Sequence, residues 1–337
     1  MLDIEKTKDV FDSFNKKKVL ILGDVMVDSY VWGHVERISP EAPVPIVAVS
    51  KRENRLGGAA NVALNIRSLG AEPVLCSVIG QDLKGEEFLQ ICEQEKLPVH
   101  GLLKSNERIT TTKFRIIGNK AQLLRVDEEF TEDLTERESN DFYVKIEKIL
   151  KEENIDALIF QDYNKGVLTS GIIHKTIKLA NELKVPTVVD PKKKNFDAFQ
   201  DVTLFKPNLK ELKEGLKRDF DAGNKTALSN AVQYLHNRQK VKMVLTTLSD
   251  AGVFYSRMNS ETDYESGQLP AHHRSIADVS GAGDTVVSVA TLCLVAGLKA
   301  EEIAAISNLA GGIVCEKVGV VPVGKERLLE ETLKHFG

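Results

Sequence analysis

The chain has 337 residues, of which 42% are hydrophobic and 28% carry a charge, an ordinary composition for a globular protein. Its 45 basic and 49 acidic residues give a net charge of -4, which argues against a nucleic-acid partner because such proteins usually carry a basic excess. The N-terminus has no secretory apolar segment, no apolar run is long enough to span a bilayer, and the four cysteines form no C-x-x-C pair. We therefore expect a cytoplasmic enzyme or binding protein without a membrane partner.

In chain order, short apolar segments alternate with segments of helical periodicity. The strand-like segments are KVLILG, PVLCSVIG, DALIF, PTVVD, DVTLFKPN and KMVLTT, and the helical ones include ALNIRSL, FLQICEQEKL and GIIHKTIKLANELK. This alternation predicts crossover units, and hence an α/β fold in which a mostly parallel central sheet carries helices on both faces. We expect one domain over residues 1–337.

Two regions interrupt this alternation, at about residues 29–54 and 108–129. The region at 29–54 is punctuated by prolines and has β character, and the region at 108–129 has the pattern of two strands around a GNK turn. Neither has a helical pattern, so we expect both to form a small β-element that projects from the sheet. It could act as a lid over an active site, or it could be an antiparallel extension of the sheet edge.

The segment DVSGAGDT, residues 278–285, precedes an apolar run that predicts a buried helix. A helix N-terminus has unpaired N–H groups, which makes Gly281, Ala282 and Gly283 candidates for an anion hole that binds phosphate oxygens. Asp284, which we expect the helix dipole to keep ionised, could accept a proton from a hydroxyl that attacks phosphorus. Alternatively, Asp284 is an N-cap and the glycines form a turn.

Polar and small residues elsewhere suggest a sugar-binding site. Gly57 and Gly58, in RLGGAANVALN, would let a ligand approach the backbone, and Asn61 could recognise sugar hydroxyls. Asp28 follows the first strand, and ligands of open α/β sheets bind at such strand ends. The alternatives are a tight helix start with a packed Asn61, and turn chemistry at Asp28 and the neighbouring Asp24.

Asn208 and Glu211 lie three residues apart in KPNLKEL, at a predicted helix start. Such a polar pair could lie near Mg²⁺-bound phosphates. The same spacing is also that of a helix-capping pair, so the sequence leaves both interpretations open.

Together these segments resemble the PfkB/ribokinase family of carbohydrate kinases. GGAANVALNIRSLGAEPVLCSVIG is similar to the N-terminal signature of the family and DVSGAGDT to the C-terminal one, and the resemblance covers nearly the whole chain. It implies a ribokinase-like three-layer sandwich with a small β-lid, ATP and Mg²⁺ as cofactors, and transfer of a phosphoryl group to a sugar. Dependence on a monovalent cation stays open.

The resemblance also implies roles for individual residues. It makes Asp284 the catalytic base, with the anion hole formed by Gly281, Ala282 and Gly283. The implied substrate-binding positions are Asp28, Gly57, Gly58 and Asn61. The implied ATP-binding positions are Asn208, Glu211, Thr246, Ser249, Gly252 and Asn308, with Glu211 also holding Mg²⁺ through water. In TTLSDAGV, Ser249 stands where the family pattern has glycine.

Within the family, RISPEAPVP, DYNKGVLT and VVDPKKKNF resemble the heptose-phosphate kinase domain of bacterial lipopolysaccharide-heptose biosynthesis. This likeness implies ATP-dependent phosphorylation of D-glycero-D-manno-heptose 7-phosphate at its anomeric hydroxyl, by a stand-alone kinase that ends at Gly337. The phosphate of such a substrate needs a cation. Lys165 is our first candidate, with Lys192 and Arg37 as rivals and a merely solvated lysine as the alternative.

The sequence leaves two other functions open for this chain and predicts its assembly state. The chain could be another sugar kinase of the family (ribokinase-, fructokinase- or nucleoside-kinase-like), or a non-catalytic sugar or nucleotide sensor. We expect a homodimer through the β-lid, because an isolated two-stranded flap is marginal in water and this one carries Val44, Ile46, Val47 and Val49.

Overall fold

The computed structural model describes residues 4–119, 121–221, 223–260, 263–272 and 274–336. The strands are β1 (Lys18–Gly23), β2 (Val25–Ile38), β3 (Pro45–Gly58), β4 (Glu72–Gly80), β5 (Leu102–Ser105), β6 (Thr112–Gly118), β7 (Ala121–Glu128), β8 (Ala157–Gln161), β9 (Thr187–Asp190), β10 (Leu204–Phe205), β11 (Met243–Thr247), β12 (Val253–Ser260) and β13 (Asp263–Leu269). The helices are α1 (Ile4–Ser13), α2 (Ala59–Ser68), α3 (Leu83–Gln94), α4 (Glu136–Glu152), α5 (Ser170–Glu182), α6 (Leu209–Leu216), α7 (Lys225–Gln239), α8 (Ala282–Val295), α9 (Ala300–Val314) and α10 (Lys325–Phe336). None of these described helices is long and apolar enough to cross a lipid bilayer.

The larger sheet has nine strands in the order β13-β12-β11-β10-β9-β8-β1-β4-β5. The strands from β11 to β5 pair in parallel, and β12 and β13 are antiparallel at one edge. Parallel neighbours need crossover connections, which the helices between them supply. The α/β fold with a mostly parallel central sheet is therefore confirmed.

Strand β1 shows why helices cover both faces of this sheet. Val19 and Ile21 belong to the apolar core on one face, and Leu20 and Leu22 belong to the core on the other. Successive side chains of a strand point to opposite faces, so an uninterrupted apolar run must be buried on both. Helices α2, α8 and α9 contribute to the first core, and α4, α5 and α7 contribute to the second.

A smaller sheet has four strands in the order β3-β2-β6-β7, drawn from two separate segments of the chain. It is the small β-element expected at about residues 29–54 and 108–129. The predicted segment 29–54 is too narrow, since β2 begins at Val25 and β3 ends at Gly58. A single residue separates β2 from β1, and β3 pairs with β2 along its length as far as Val25 opposite Gly58, so both strands extend past the predicted bounds. Lys120, in the predicted GNK turn, lies outside the described residues.

The carboxyl ends of the parallel strands place polar residues at one edge of the larger sheet. Gln161 ends β8, Asp190 ends β9, and Asp24 directly follows β1. Helix α8 contacts both β8 and β9. Open α/β sheets bind their ligands at this edge, so the fold positions a site here.

Candidate active site

The N-terminus of α8 is built from glycine for a steric reason. Gly281 occupies the N-cap position with φ of 80°, a left-handed conformation that glycine adopts at little cost. It has no side chain with which to cap the helix, so backbone N–H groups of the first turn stay available to an anion. The N-cap interpretation of Asp284 is wrong, because this aspartate is the third residue of the helix and bonds to side chains of other elements.

Three side-chain donors hold the carboxylate of Asp284, which is only 4% exposed. Asn61 Nδ2 donates to Oδ2 at 2.7 Å. The Tyr163 hydroxyl and Gln161 Nε2 donate to Oδ1 at 2.7 Å and 3.1 Å. Asn61 is itself fixed by Asn65, whose Nδ2 donates to the Asn61 carbonyl at 3.0 Å. The carboxylate therefore has one defined orientation, set by α2, the end of β8 and the loop that follows β8.

The environment makes Asp284 a stronger base than an exposed aspartate. Burial raises its pKa to about 6, although the hydrogen bonds from Asn61 and Tyr163 lower it. The Asp190 carboxylate raises this pKa further, and the Lys206 ammonium lowers it. With a pKa of about 6, Asp284 is mostly ionised at neutral pH and becomes protonated in mildly acidic solution.

A buried ion pair lies beside the first turn of α8. Lys206 Nζ is 3.1 Å from Asp190 Oδ2, and the two residues are 2% and 4% exposed. A Cβ atom on Gly283 would lie 3.7 Å from the Lys206 ammonium, so the cation is close to the helix terminus. A fixed cation beside backbone N–H groups is an arrangement that can bind phosphate oxygens.

A cleft of about 920 Å³ extends from Asp284 between α6, the β11–β12 turn and α9. Its volume suits a ligand of nucleotide size. The predicted residues that line it are Asn208, Glu211, Ser249, Gly252, Gly281, Ala282, Gly283, Asp284 and Asn308. The predicted residues outside its lining are Asp28, Gly57, Gly58, Asn61, Lys165 and Thr246.

Asn208 and Glu211 form a capping box at the start of α6. Asn208 Oδ1 accepts from the Glu211 backbone N–H at 2.8 Å, and Glu211 Oε2 accepts from the Asn208 backbone N–H at 2.8 Å. Glu211 Oε1 is paired with the Lys192 ammonium. The capping interpretation is therefore correct, and the same two side chains also face the cleft, so the two interpretations are compatible.

The turn between β11 and β12 forms another wall of the cleft. Thr247 and Ser249 line it, whereas Thr246 is fully buried, because neighbouring residues of a strand point to opposite faces. Ser249 has φ of 57°, a conformation that glycine adopts more easily, which explains why a glycine is expected there. A Cβ atom on Gly252 would lie 2.1 Å from the Leu269 carbonyl oxygen, so only glycine fits.

The α9 side of the cleft contains Asn308, whose Nδ2 donates to the carbonyl oxygen of Pro270 at 2.8 Å. This bond ties α9 to the segment that leads from β13 toward α8. Asn308 therefore helps to shape the wall of the cleft on the α9 side.

Asp28, Gly57 and Gly58 form a separate group, linked to Asp284 through Asn61. Gly58 is the N-cap of α2, with φ of 62°, and Asn61 is on the first turn of that helix. A Cβ atom on Gly57 would lie 2.4 Å from Asp28 Oδ2, so glycine lets the carboxylate approach the backbone. Asp28 is buried and paired with Arg115 of β6, a partner that sequence reasoning missed.

The structure separates the three candidate cations for a substrate phosphate. Lys165 Nζ is 2.5 Å from Glu129 Oε2, at the junction of the small sheet with the loop after β8. Lys192 lines the cleft and pairs with Glu211. Arg37 is exposed near the outer end of β2.

Sequence reasoning missed four residues that meet around Asp284: Gln161, Tyr163, Asp190 and Lys206. Gln161 and Asp190 could have been found, because each is the polar last residue of an apolar strand-like segment and such strand ends share one edge. Tyr163 and Lys206 carry no comparable signal. A tyrosine and a lysine in short connections are usually surface residues.

The geometry suits transfer of a phosphoryl group to a hydroxyl, because a proton acceptor lies beside a cation and open N–H groups. A model of the pfkB family of carbohydrate kinases matches residues 16–325. The chain belongs to this family. It is accordingly an ATP-dependent sugar kinase, and the resemblance of its two signature segments is confirmed.

Curated relatives of this pfkB-family chain include bifunctional proteins. The bifunctional protein HldE of Helicobacter pylori (strain HPAG1) is 38% identical over 309 residues, which are 90% of this chain and 64% of that protein. HldE of Haemophilus influenzae (strain PittEE) is 37% identical over 315 residues, which are 94% of this chain and 63% of that protein. The chain thus spans less than two thirds of the length of these relatives.

Solved structures of other kinases share the fold of this pfkB-family chain. Phosphofructokinase-2 from Escherichia coli in complex with potassium gives a TM-score of 0.77 at 19% identity, covering 95% of this chain and 98% of that one. Arabidopsis thaliana ribokinase complexed with ribose and ATP gives 0.69 at 17% identity, covering 95% and 99%. The expected ribokinase-like fold is thereby confirmed.

Proposed function

We propose that the chain transfers a phosphoryl group from ATP to the anomeric hydroxyl of D-glycero-D-manno-heptose 7-phosphate, giving the 1,7-bisphosphate. This reaction would serve ADP-heptose and lipopolysaccharide core biosynthesis in the cytoplasm. The identity of 37% to 38% with two HldE proteins supports a heptose as the substrate. The segment RISPEAPVP supports the same choice over a ribokinase-, fructokinase- or nucleoside-kinase-like substrate.

One observation carries the proposal: Asp284 lies where the cleft and the Asp28–Gly57–Gly58 group meet. Asn61 belongs to the helix that follows this group and donates to Asp284, and the cleft begins at Asp284 itself. A hydroxyl bound beside Asn61 would therefore face a phosphoryl group bound in the cleft. Asp284 would accept the proton of that hydroxyl as it attacks.

The cleft has groups that fit a nucleotide and its metal. When bound, ATP supplies the phosphoryl group and Mg²⁺ offsets its charge. Lys206 and the N–H groups of Gly281 and Gly283 would bind phosphate oxygens, whereas the Ala282 N–H already donates to the Val279 carbonyl oxygen at 3.3 Å. No three acidic, histidine or cysteine side chains among the described residues cluster as a metal site. Both carboxylate oxygens of Glu211 are already engaged, so Glu211 would contact Mg²⁺ through water, as expected from the family pattern.

Three further features belong to the same proposal. Asp28, Gly57 and Gly58 bind the sugar, and Lys165 binds its phosphate at the edge of the small sheet. The small sheet closes the site and joins two copies of the chain as a homodimer. A monovalent cation is worth testing as an activator, since Escherichia coli phosphofructokinase-2 has been solved in complex with potassium.

The test is a coupled ADP-release assay over a panel of acceptors. The panel contains heptose 7-phosphate, the unphosphorylated heptose, fructose 6-phosphate, ribose, fructose and a nucleoside. We expect the highest kcat/KM with heptose 7-phosphate, and a product with two phosphorus signals in NMR. A higher kcat/KM with an unphosphorylated sugar would show that heptose 7-phosphate is not the substrate. If no acceptor gives ADP release, a non-catalytic sensor is favoured.

A further inference from the structure

We infer that Tyr163 is a positioning residue which, together with Gln161, saturates Oδ1 of Asp284 and thereby leaves Oδ2 as the atom that accepts the proton. This inference rests on the proposed role of Asp284 as the base. It assigns a function to the loop after β8, which the sequence pattern leaves without one apart from Lys165.

The two oxygens of the Asp284 carboxylate differ in how many of their acceptor positions are filled. Each carboxylate oxygen offers about two lone-pair positions for hydrogen bonds. Oδ1 already accepts from the Tyr163 hydroxyl at 2.7 Å and from Gln161 Nε2 at 3.1 Å. Oδ2 accepts from Asn61 Nδ2 at 2.7 Å, with no second donor among the described residues. The open position is therefore on Oδ2, next to the helix that follows the proposed sugar-binding glycines.

The loop that carries Tyr163 is rigidly anchored. Asp24, which is 1% exposed, accepts from the backbone N–H groups of Tyr163, Lys165 and Val167 at 2.8 Å, 3.2 Å and 3.1 Å. Arg108 Nη2 donates to the carbonyl oxygen of Lys165 at 2.7 Å. Asp24 thus supports a loop about 140 positions away rather than a turn of its own, and the consequence is that the Tyr163 hydroxyl is already fixed against Asp284 in the free enzyme.

The proton transfer balances without any further reactant. The O–H bond of the acceptor breaks, and its proton bonds to Oδ2. The freed oxygen forms a bond to the γ-phosphorus of ATP, and the bond from that phosphorus to the ADP oxygen breaks. The Tyr163 hydroxyl keeps its own proton throughout, since burial and the charges of Asp284 and Asp190 raise its pKa well above the usual range.

The other charged groups facing Asp284 are Asp190, Lys206 and Lys192, on or directly after β9 and β10. A Tyr163→Phe change leaves all three in place. It also keeps the aromatic ring, over which the Lys192 ammonium lies 5.6 Å from the ring centroid. The substitution therefore removes the hydrogen bond to Oδ1 and the bond between the Tyr163 hydroxyl and the Gln161 side chain, and it keeps the charged groups of the site.

The decisive measurement is the pH profile of kcat/KM for the sugar phosphate. In the native enzyme we expect the acidic limb near pH 6, where Asp284 becomes protonated. Loss of the Tyr163 bond destabilises the ionised carboxylate, so its pKa rises. As the pH is lowered, the carboxylate is then protonated, and activity lost, at a higher pH than in the native enzyme. Tyr163→Phe should move the limb upward by about 1 to 2 pH units, the equivalent of one hydrogen bond to a charged group. Activity on the alkaline side should change much less.

Tyr143→Phe, on α4, is the matched control, because it removes a phenol that bonds nowhere near Asp284 and should leave the limb in place. An unmoved limb in Tyr163→Phe would overturn the inference, even if the rate fell. A carbon-13 NMR titration of the Asp284 carboxyl, assigned with Asp284→Asn, reports the same shift without needing turnover. If Asp284→Asn keeps full activity, the proposed base is wrong, an outcome distinct from failure of the Tyr163 inference.

Discussion

At the scale of single residues, burial and hydrogen bonding act in opposite directions on Asp284. Burial raises its pKa to about 6, while the donors Asn61 and Tyr163 stabilise the charged form. A base whose pKa lies near the working pH is both ionised and able to hold a proton, which is what general-base catalysis requires. The helix dipole alone predicts an ionised carboxylate but not this balance.

Lys165 has two possible roles that a substitution can tell apart: it binds the phosphate of the substrate, or it only holds the small sheet in place. A charged hydrogen bond to phosphate contributes about 1.5–3 kcal/mol, so Lys165→Ala should raise KM for the sugar phosphate about 10- to 100-fold. KM for ATP should not change, since Lys165 is outside the cleft. Steady-state kinetics with each substrate varied in turn measures both effects.

Glu129→Gln is the matched control for this prediction. It releases the Lys165 ammonium from its ion pair, so KM for the sugar phosphate should stay the same or fall. Equal losses of thermal stability in both variants, with KM unchanged, would show that Lys165 only holds the small sheet in place. A raised KM for ATP in Lys165→Ala would instead make Lys192 the better candidate.

At the scale of elements, the small sheet exposes apolar side chains on its strands. Leu124 and Val126 of β7 are 56% and 44% exposed, and Val49 of β3 is 48% exposed. Exposed apolar strands invite pairing or packing with another chain. We predict a homodimer that the double change Leu124→Lys and Val126→Lys converts to a monomer, because each lysine would place a charge in the buried interface.

Light scattering at micromolar concentration tests this prediction. Val144→Lys provides the control, because Val144 is 63% exposed on α4, outside the small sheet, and the dimer should survive its replacement. A native protein that is monomeric at this concentration would contradict the predicted assembly.

The secondary structure could be predicted where one physical rule dominates. β1 alternates between two apolar cores, so its residue types alone identify a buried strand. β2 could not be delimited in the same way, because Asp24 and Asp28 suggest a turn. Asp24 instead supports the distant loop that carries Tyr163. Asp28 lies within the strand, held by an ion pair with Arg115 from a distant segment. Such long-range pairing leaves no local pattern.

At the scale of the whole molecule, the site depends on segments that are far apart in the chain. The Asn61–Asp284 hydrogen bond joins residues 223 positions apart. The two glycine-rich signatures could be recognised from the sequence, and with them Asp284 and the anion hole. Tyr163 and Lys206 could not be recognised from the sequence, because their place in the site depends on how the strand ends converge in the fold. Thr246 illustrates the remaining difficulty, because a shift of one residue along β11 decides which side chain reaches the cleft.

The turnover of Asp284→Asn with ATP and heptose 7-phosphate tests the central claim most directly. The substitution keeps the shape of the side chain but removes its ability to take a proton. We predict that kcat falls by about 10²- to 10⁴-fold, the usual contribution of a positioned base, while ATP affinity changes little. Turnover close to that of the native enzyme would contradict the account, because the phosphoryl transfer would then proceed without the carboxylate on which the site converges.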